Sequence, residues 1–163
     1  MKAYLDIETS YGGEITVVGV LLETGNFTQL IGNEITSYFL LQILKGVSTI
    51  YTYNGSRFDL PVIKKNIGLD LTKYFGSYDL MFDCWRLNLY GGLKNVEKKL
   101  NIPRKLKGIT GYEAMKLWHL YQNYGDTHAL ALLLAYNRED VENLVVLEKR
   151  LFGNCSAIDY SGY

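Results

Sequence analysis

Short apolar runs broken by glycine turns fill the first thirty positions, and apolar residues at helical spacing dominate most of the remaining chain. Lys2 to Ile7 is predicted as a first strand. Glu14 to Leu22 comes next as a second, β-branched and largely buried through Ile15, Val17, Val18, Val20, Leu21 and Leu22, with Gly12-Gly13 as the turn between them. Asn26 to Ile31 reads as a third strand after a Thr24-Gly25-Asn26 turn, so the three form an antiparallel meander. Asn33 is expected to cap a helix from about Glu34 to Lys45, with Ile35, Phe39, Leu40, Ile43 and Leu44 on its apolar face and Gly46 as its stop. Ser48 to Tyr53 returns as a short strand.

Beyond it the pattern is helical: Asp59 to Asn66, Leu80 to Leu89, Lys94 to Leu100, Gly111 to Tyr124, and a long helix from Thr127 to Phe152. Three strands, a helix, a further strand and then helices predict an α/β sandwich around a mixed sheet. Residues 154–163 lack periodicity, so an irregular tail is expected after a single domain spanning 1–153.

Composition narrows the picture modestly. The chain has 163 residues, 48% of them hydrophobic, enough for one substantial core. Seventeen basic residues balance seventeen acidic ones, so any polyanion must be met by a local basic patch rather than by a global field. Fourteen tyrosines fit either strand packing or a stacking surface. Cys84 and Cys155 are far apart and form no C-x-x-C, which predicts reduced thiols and a reducing compartment. No apolar run approaches bilayer length and no basic-then-apolar segment opens the chain, so the expectation is a soluble cytoplasmic protein with no membrane contact.

The chemistry gathers in three places. On the first strand Asp6 and Glu8 point to one side while Leu5 and Ile7 point to the other. Two carboxylates in one patch raise each other's pKa, so they mark either a solvated strand end or a site for a hard cation such as Mg²⁺ or Mn²⁺. The second place is Tyr53-Asn54-Gly55-Ser56-Arg57-Phe58-Asp59-Leu60-Pro61, a strand running through a glycine turn into a helix. There Asp59 reads as a helix cap or as a site acid. The third is Tyr136-Asn137-Arg138-Glu139-Asp140, where Tyr136 and Asp140 share one helical face among Leu132, Leu133, Leu144 and Leu147. A carboxylate on an apolar face needs compensation, which a cation held by the first strand would provide.

The order D-x-E, then N-G-x-x-F-D-x-P, then Y-x-x-x-D resembles the DEDD exonucleases in their tyrosine branch, which includes the proofreading domains of family B DNA polymerases. The stretches from Gly91-Gly92-Leu93-Lys94 to Ile102, from Gly111-Tyr112-Glu113-Ala114 to Trp118, and around Tyr136 are also similar to free-standing prokaryotic RNase H-like domains predicted to be exonucleases. Position 135 is Ala, where the related histidine branch would carry His. The resemblance covers residues 3 to about 150. It implies an RNase H-like fold, with a five-stranded mixed sheet flanked by helices.

It also implies 3′–5′ exonuclease activity on single-stranded DNA or RNA with a free 3′ end. The site it implies has two divalent cations, Mg²⁺ or Mn²⁺, held by Asp6, Glu8, Asp59 and Asp140, with Tyr136 as a fifth functional residue. Asp6 is expected to bridge the ions, and Tyr136 to orient water rather than to act as a base. Asn54 falls where related enzymes contact the terminal nucleotide. Phe58 is expected either to staple the helix entry or to stack on a base, and Arg57 to meet a phosphate or solvent. Lys94, Lys98, Lys99, Arg104, Lys105 and Lys107 form a basic run, opposed locally only by Glu97, that is either a solvated face or a phosphate contact. His119 and His128 lack a second ligand at metal spacing and are expected to be structural or exposed. Two other readings keep the fold: a nucleic-acid-binding module with a retired site, and an RNase H-like endonuclease or resolvase.

Overall fold

The computed structural model describes residues 1–153; the expected tail, residues 154–163 with Cys155, lies outside them. Five strands, β1 (Lys2–Thr9), β2 (Ile15–Leu22), β3 (Phe27–Ile31), β4 (Thr49–Thr52) and β5 (Gly76–Asp79), form one sheet in the order β3-β2-β1-β4-β5. The first three pair antiparallel, while β1 with β4 and β4 with β5 are parallel. The expected mixed sheet flanked by helices is therefore present. The helices are α1 (Ser37–Ile43), α2 (Asp59–Ile67), α3 (Leu80–Arg86), α4 (Leu93–Lys99), α5 (Gly111–Tyr124) and α6 (Thr127–Phe152).

The two faces of β1 explain the layering. Ala3, Leu5 and Ile7 pack with Leu40 and Leu44 at α1 and Leu60 and Ile63 of α2. Tyr4, on the opposite face, packs with Val141, Leu144, Leu147 and Leu151 of α6 and with Leu80, Cys84 and Val96. A third cluster joins Val17 to Ala114, Leu133 and Tyr136, fixing α5 beside α6. Among the described residues no helix is long and apolar enough to cross a membrane.

Two local expectations fail for identifiable reasons. Asn33 does not cap the first helix: residues Gly32–Glu34 form a 3-10 turn, closed by Glu34 accepting from the Ile31 N–H at 3.2 Å. The helix instead begins at Ser37, with the Thr36 hydroxyl accepting from the Phe39 N–H at 3.2 Å. Strand β5, absent from the pattern of apolar runs, has the sequence Gly-Ser-Tyr-Asp, and pairing with β4 along one edge organises it. Its Tyr78 stacks on Tyr51 of β4, ring centroids 4.8 Å apart.

Candidate metal centre

The site lies at the C-terminal end of β1, where the pairing with β2 slips one residue between Glu8 and Thr9. Such a bulge ends regular pairing and re-aims the adjoining side chains. Helix α6 crosses the Asp6/Glu8 face of the sheet, and its buried positions Leu133, Tyr136, Asn137, Asp140, Val141 and Leu144 recur at intervals of three and four. The polar members of that stripe therefore meet the strand acids. Asp6, Glu8 and Asp140 each offer a carboxylate oxygen, and the three oxygens lie within 4.8 Å of one another.

Burial pushes the Asp6 carboxyl well up from its usual range, and the charges of Glu8, Asp140 and Asp59 push it further. Glu8 shifts the same way through burial and the nearby Asp140, with the Lys94 ammonium opposing. Three clustered carboxylate oxygens, two of them on acids whose charged form is disfavoured by burial and by neighbouring charge, match the needs of a hard divalent cation, so the donor set fits such an ion.

Asp6 is held by a residue to which none of the sequence motifs assigns a role. The Asn137 amide nitrogen donates to Asp6 Oδ2 at 3.0 Å and to the Asp6 main-chain oxygen at 3.2 Å. The Asn137 carbonyl oxygen accepts from Gln29 Nε2 at 2.9 Å, and Gln29 Nε2 also donates to the Leu134 oxygen at 2.9 Å. Opposite Asp6 on β2 stands Gly19, and a Cβ there would lie 2.3 Å from Asn137 Oδ1. Glycine makes room for the amide. The signal for Asn137 in the sequence is an asparagine beside the apolar stripe, one residue after Tyr136, and the structure buries it fully.

Asp59 is the first residue of α2 rather than its cap, and its Oδ1 accepts from the Ile7 N–H at 3.1 Å. That bond ties α2 to β1 between the two strand acids. Burial pushes its carboxyl up to about 7, against its own N–H and that of Ile7. The three-oxygen cluster does not include it.

A further buried acid, Asp79, shapes the neighbouring turn. It accepts from the N–H groups of Asn54 (2.7 Å) and Ser56 (3.1 Å), from the Ser56 hydroxyl (2.7 Å) and from the Met81 N–H (3.1 Å). Asn54 thereby sits in the left-handed region at φ 62°, which asparagine tolerates well.

Tyr136 is buried, and its hydroxyl accepts from the Lys94 ammonium, which stands 4.3 Å from the ring centroid. Burial, followed by the charges of Asp140, Glu8 and Asp6, raises its pKa above the ordinary phenol value. A phenol so placed keeps its proton, as a water-orienting role requires.

The basic run divides. Arg104, expected on a solvated face or at a phosphate, is only 11% exposed, because its guanidinium donates to Asp140 and grips both oxygens of Glu97 at 2.8 and 3.0 Å. Glu139 Oε2 lies 3.6 Å from its Nε. Glu97 is the acid already counted within the run, but Asp140 and Glu139 lie 36 and 35 residues away, out of reach of any local charge count. Lys98 and Lys107 are exposed. Phe58 does not staple the helix entry; 44% of it is exposed, beside an exposed Arg57 whose guanidinium lies 5.1 Å from the Trp85 ring. His119 and His128 are exposed.

Comparison with known proteins agrees with this architecture. The chain is 30% identical over 127 residues to the uncharacterized protein YprB of Bacillus subtilis (strain 168). That match takes in 71% of this chain and 30% of the relative, so the chain spans under a third of the longer protein. A family model described as the RNase_H superfamily matches residues 3–152. With that match running from β1 to the end of α6, over the five-stranded sheet and the acid cluster, the chain belongs to the RNase_H superfamily.

Proposed function

We propose that this chain is a metal-dependent 3′–5′ exonuclease that hydrolyses phosphodiester bonds at the 3′ end of single-stranded DNA or RNA. The observation that carries the reading is the convergence of Asp6, Glu8 and Asp140 within 4.8 Å beside the buried Tyr136 hydroxyl. Asp6, Glu8 and Asp140 would hold Mg²⁺ or Mn²⁺, with Asp59 serving a second ion directly or through water. Such ions, when bound, supply an acidified water and stabilise charge on the leaving oxygen.

The protein's own groups do the positioning. Asn137 fixes the direction of the Asp6 carboxylate, and Tyr136, protonated and held by Lys94, aims a hydrogen bond at the attacking water. Lys94 also places positive charge next to the acids, where phosphate must arrive. Asn54, in its left-handed turn, and the exposed Arg57 and Phe58 lie in the segment that leads into Asp59, and they would grip a terminal nucleotide.

One observation favours the second reading, a nucleic-acid-binding module without activity: Arg104 already compensates Asp140 from within the protein. The deciding experiment incubates Mn²⁺ and the protein with matched single-stranded DNA and RNA labelled at one end, alongside circular single-stranded DNA. Mononucleotides released progressively from the 3′ end, with the circle intact, are expected. Cutting of the circle would make the protein an endonuclease, and no cutting of any substrate would leave the binding module.

A further inference from the structure

A groove of about 410 Å³ opens between α4 and residues 103–110, next to the acid cluster. Lys94 and Lys98, four apart on α4, line one side, and Lys107 lines the other. Ile102, Leu106 and Ile109 form its apolar part. The segment is built rather than loose. Glu139 of α6 accepts from the main-chain N–H groups of Lys105 and Leu106, and the Ile102 N–H donates to the Glu97 main-chain oxygen at 2.9 Å.

The charge of this groove is one-sided. Its acid, Glu97, is 1% exposed and taken up by Arg104 and by the Asn143 amide at 2.9 Å. Lys98 and Lys107 are exposed, with no ion pair among the described residues. Lysines above an apolar lining suit a ligand whose anionic groups alternate with flat apolar ones, and the volume matches one nucleotide. The groove is also continuous with the site, since Lys94 reaches Tyr136 and Arg104 reaches Asp140. A polyanion approaching a cluster of carboxylates on a protein of zero net charge needs such a guide.

We infer that this groove holds the single strand on the 5′ side of the bond being cut, with Lys98 and Lys107 on its phosphates. The inference rests on the exonuclease reading for its direction: at a 3′ end only the 5′ side of the strand is long enough to need a groove.

The test is fluorescence anisotropy of a 5′-labelled oligothymidylate in EDTA, titrated with wild type, with Lys98→Ala/Lys107→Ala, and with the control pair Lys45→Ala/Lys65→Ala, exposed in the turn after α1 and on α2. The groove pair should bind about tenfold more weakly at low salt. Its log–log salt slope should fall by about 1.4, at roughly 0.7 per lost single-strand phosphate contact. The control pair should match wild type. Wild-type affinity and slope in the groove pair, or an equal loss in the control pair, would overturn the proposal. Binding in EDTA reads the groove whether or not wild type degrades the strand, so failure of the groove and failure of the exonuclease reading are separate results. Where wild type is active, the groove pair should cleave a dinucleotide at the wild-type rate and lose efficiency on longer strands. Loss on the dinucleotide would instead place the two lysines at the cut itself and overturn the assignment.

Discussion

Asn137 holds Asp6 at two points, its carboxylate at 3.0 Å and its main-chain oxygen at 3.2 Å, so the direction of the side chain is tied to the path of β1. An amide in this place acts on the acid rather than on the substrate. Asn137→Ala should lower turnover or divalent-ion affinity by about 10 to 100-fold, the range for losing an outer-shell partner, with oligonucleotide binding in EDTA unchanged. Calorimetry with Mn²⁺ and steady-state kinetics check it, and wild-type values in both would remove Asn137 from the site. Gly19→Ala should reproduce part of the defect, because its methyl displaces the same amide.

Tyr136→Phe keeps the buried ring and deletes the hydroxyl that meets Lys94. If that hydroxyl orients water, the rate should fall by about 10² to 10⁴-fold while Mn²⁺ affinity stays the same. Asp140→Asn should be worse on both counts, because it removes one of the three clustered oxygens. Full activity of Tyr136→Phe would end the role assigned to it.

Arg104 answers to stability before binding. Its removal leaves Glu97, almost fully buried, without its cation, and breaking such a pair costs about 3 to 5 kcal/mol. Urea unfolding of Arg104→Ala should show a loss of that order. Arg104→Met/Glu97→Leu should recover the part due to Glu97, since neither of those two charges then remains, while Asp140 still lacks its cation. A loss under about 1 kcal/mol in the single variant would mean that water reaches Glu97 freely.

The acids make the metal-free protein pH-sensitive in a direction opposite to that of a surface ion pair. Asp59 has its folded pKa raised from 3.8 to about 7, so between those values the folded state holds a proton that the unfolded state has released. Stability contributed by this group is complete below pH 3.8, declines as pH rises and is gone above about 7. A shift of about three units corresponds to at most roughly 4 kcal/mol. Asp6 and Glu8 move the same way. In EDTA, denaturation midpoints of wild type should fall from pH 4 to 7 more steeply than those of Asp59→Asn, which keeps an acceptor for the Ile7 N–H. Parallel curves would refute the shift.

Much of this architecture is legible in the sequence because it obeys strict periods. Asp6 and Glu8 share a face of β1 by alternation, and Tyr136 and Asp140 share a face of α6 by the helical repeat. What those periods do not reveal is set by long-range geometry. Arg104 looks like one member of a charged run, and only folding brings Asp140 from 36 residues away to meet it. β5 carries no apolar alternation, so parallel pairing with β4 decides its conformation. Phe58 has the residue type of a buried staple but stands at the cap just before α2, largely exposed, while Leu60 and Ile63 take the core positions.

Within five consecutive residues, α6 carries the Tyr136 hydroxyl, the Asn137 amide, the Glu139 carboxylate that anchors residues 105 and 106, and the Asp140 carboxylate of the acid cluster. An α-helix turns by about 100° per residue, so one residue inserted between Leu133 and Tyr136 would swing all four groups away from the sheet at once. The same insertion ahead of Thr127, in the Gly125-Asp126 link, would leave their phase untouched. These groups form a single mechanical part, with its angular setting fixed by the Leu133, Leu144 and Leu147 contacts on either side.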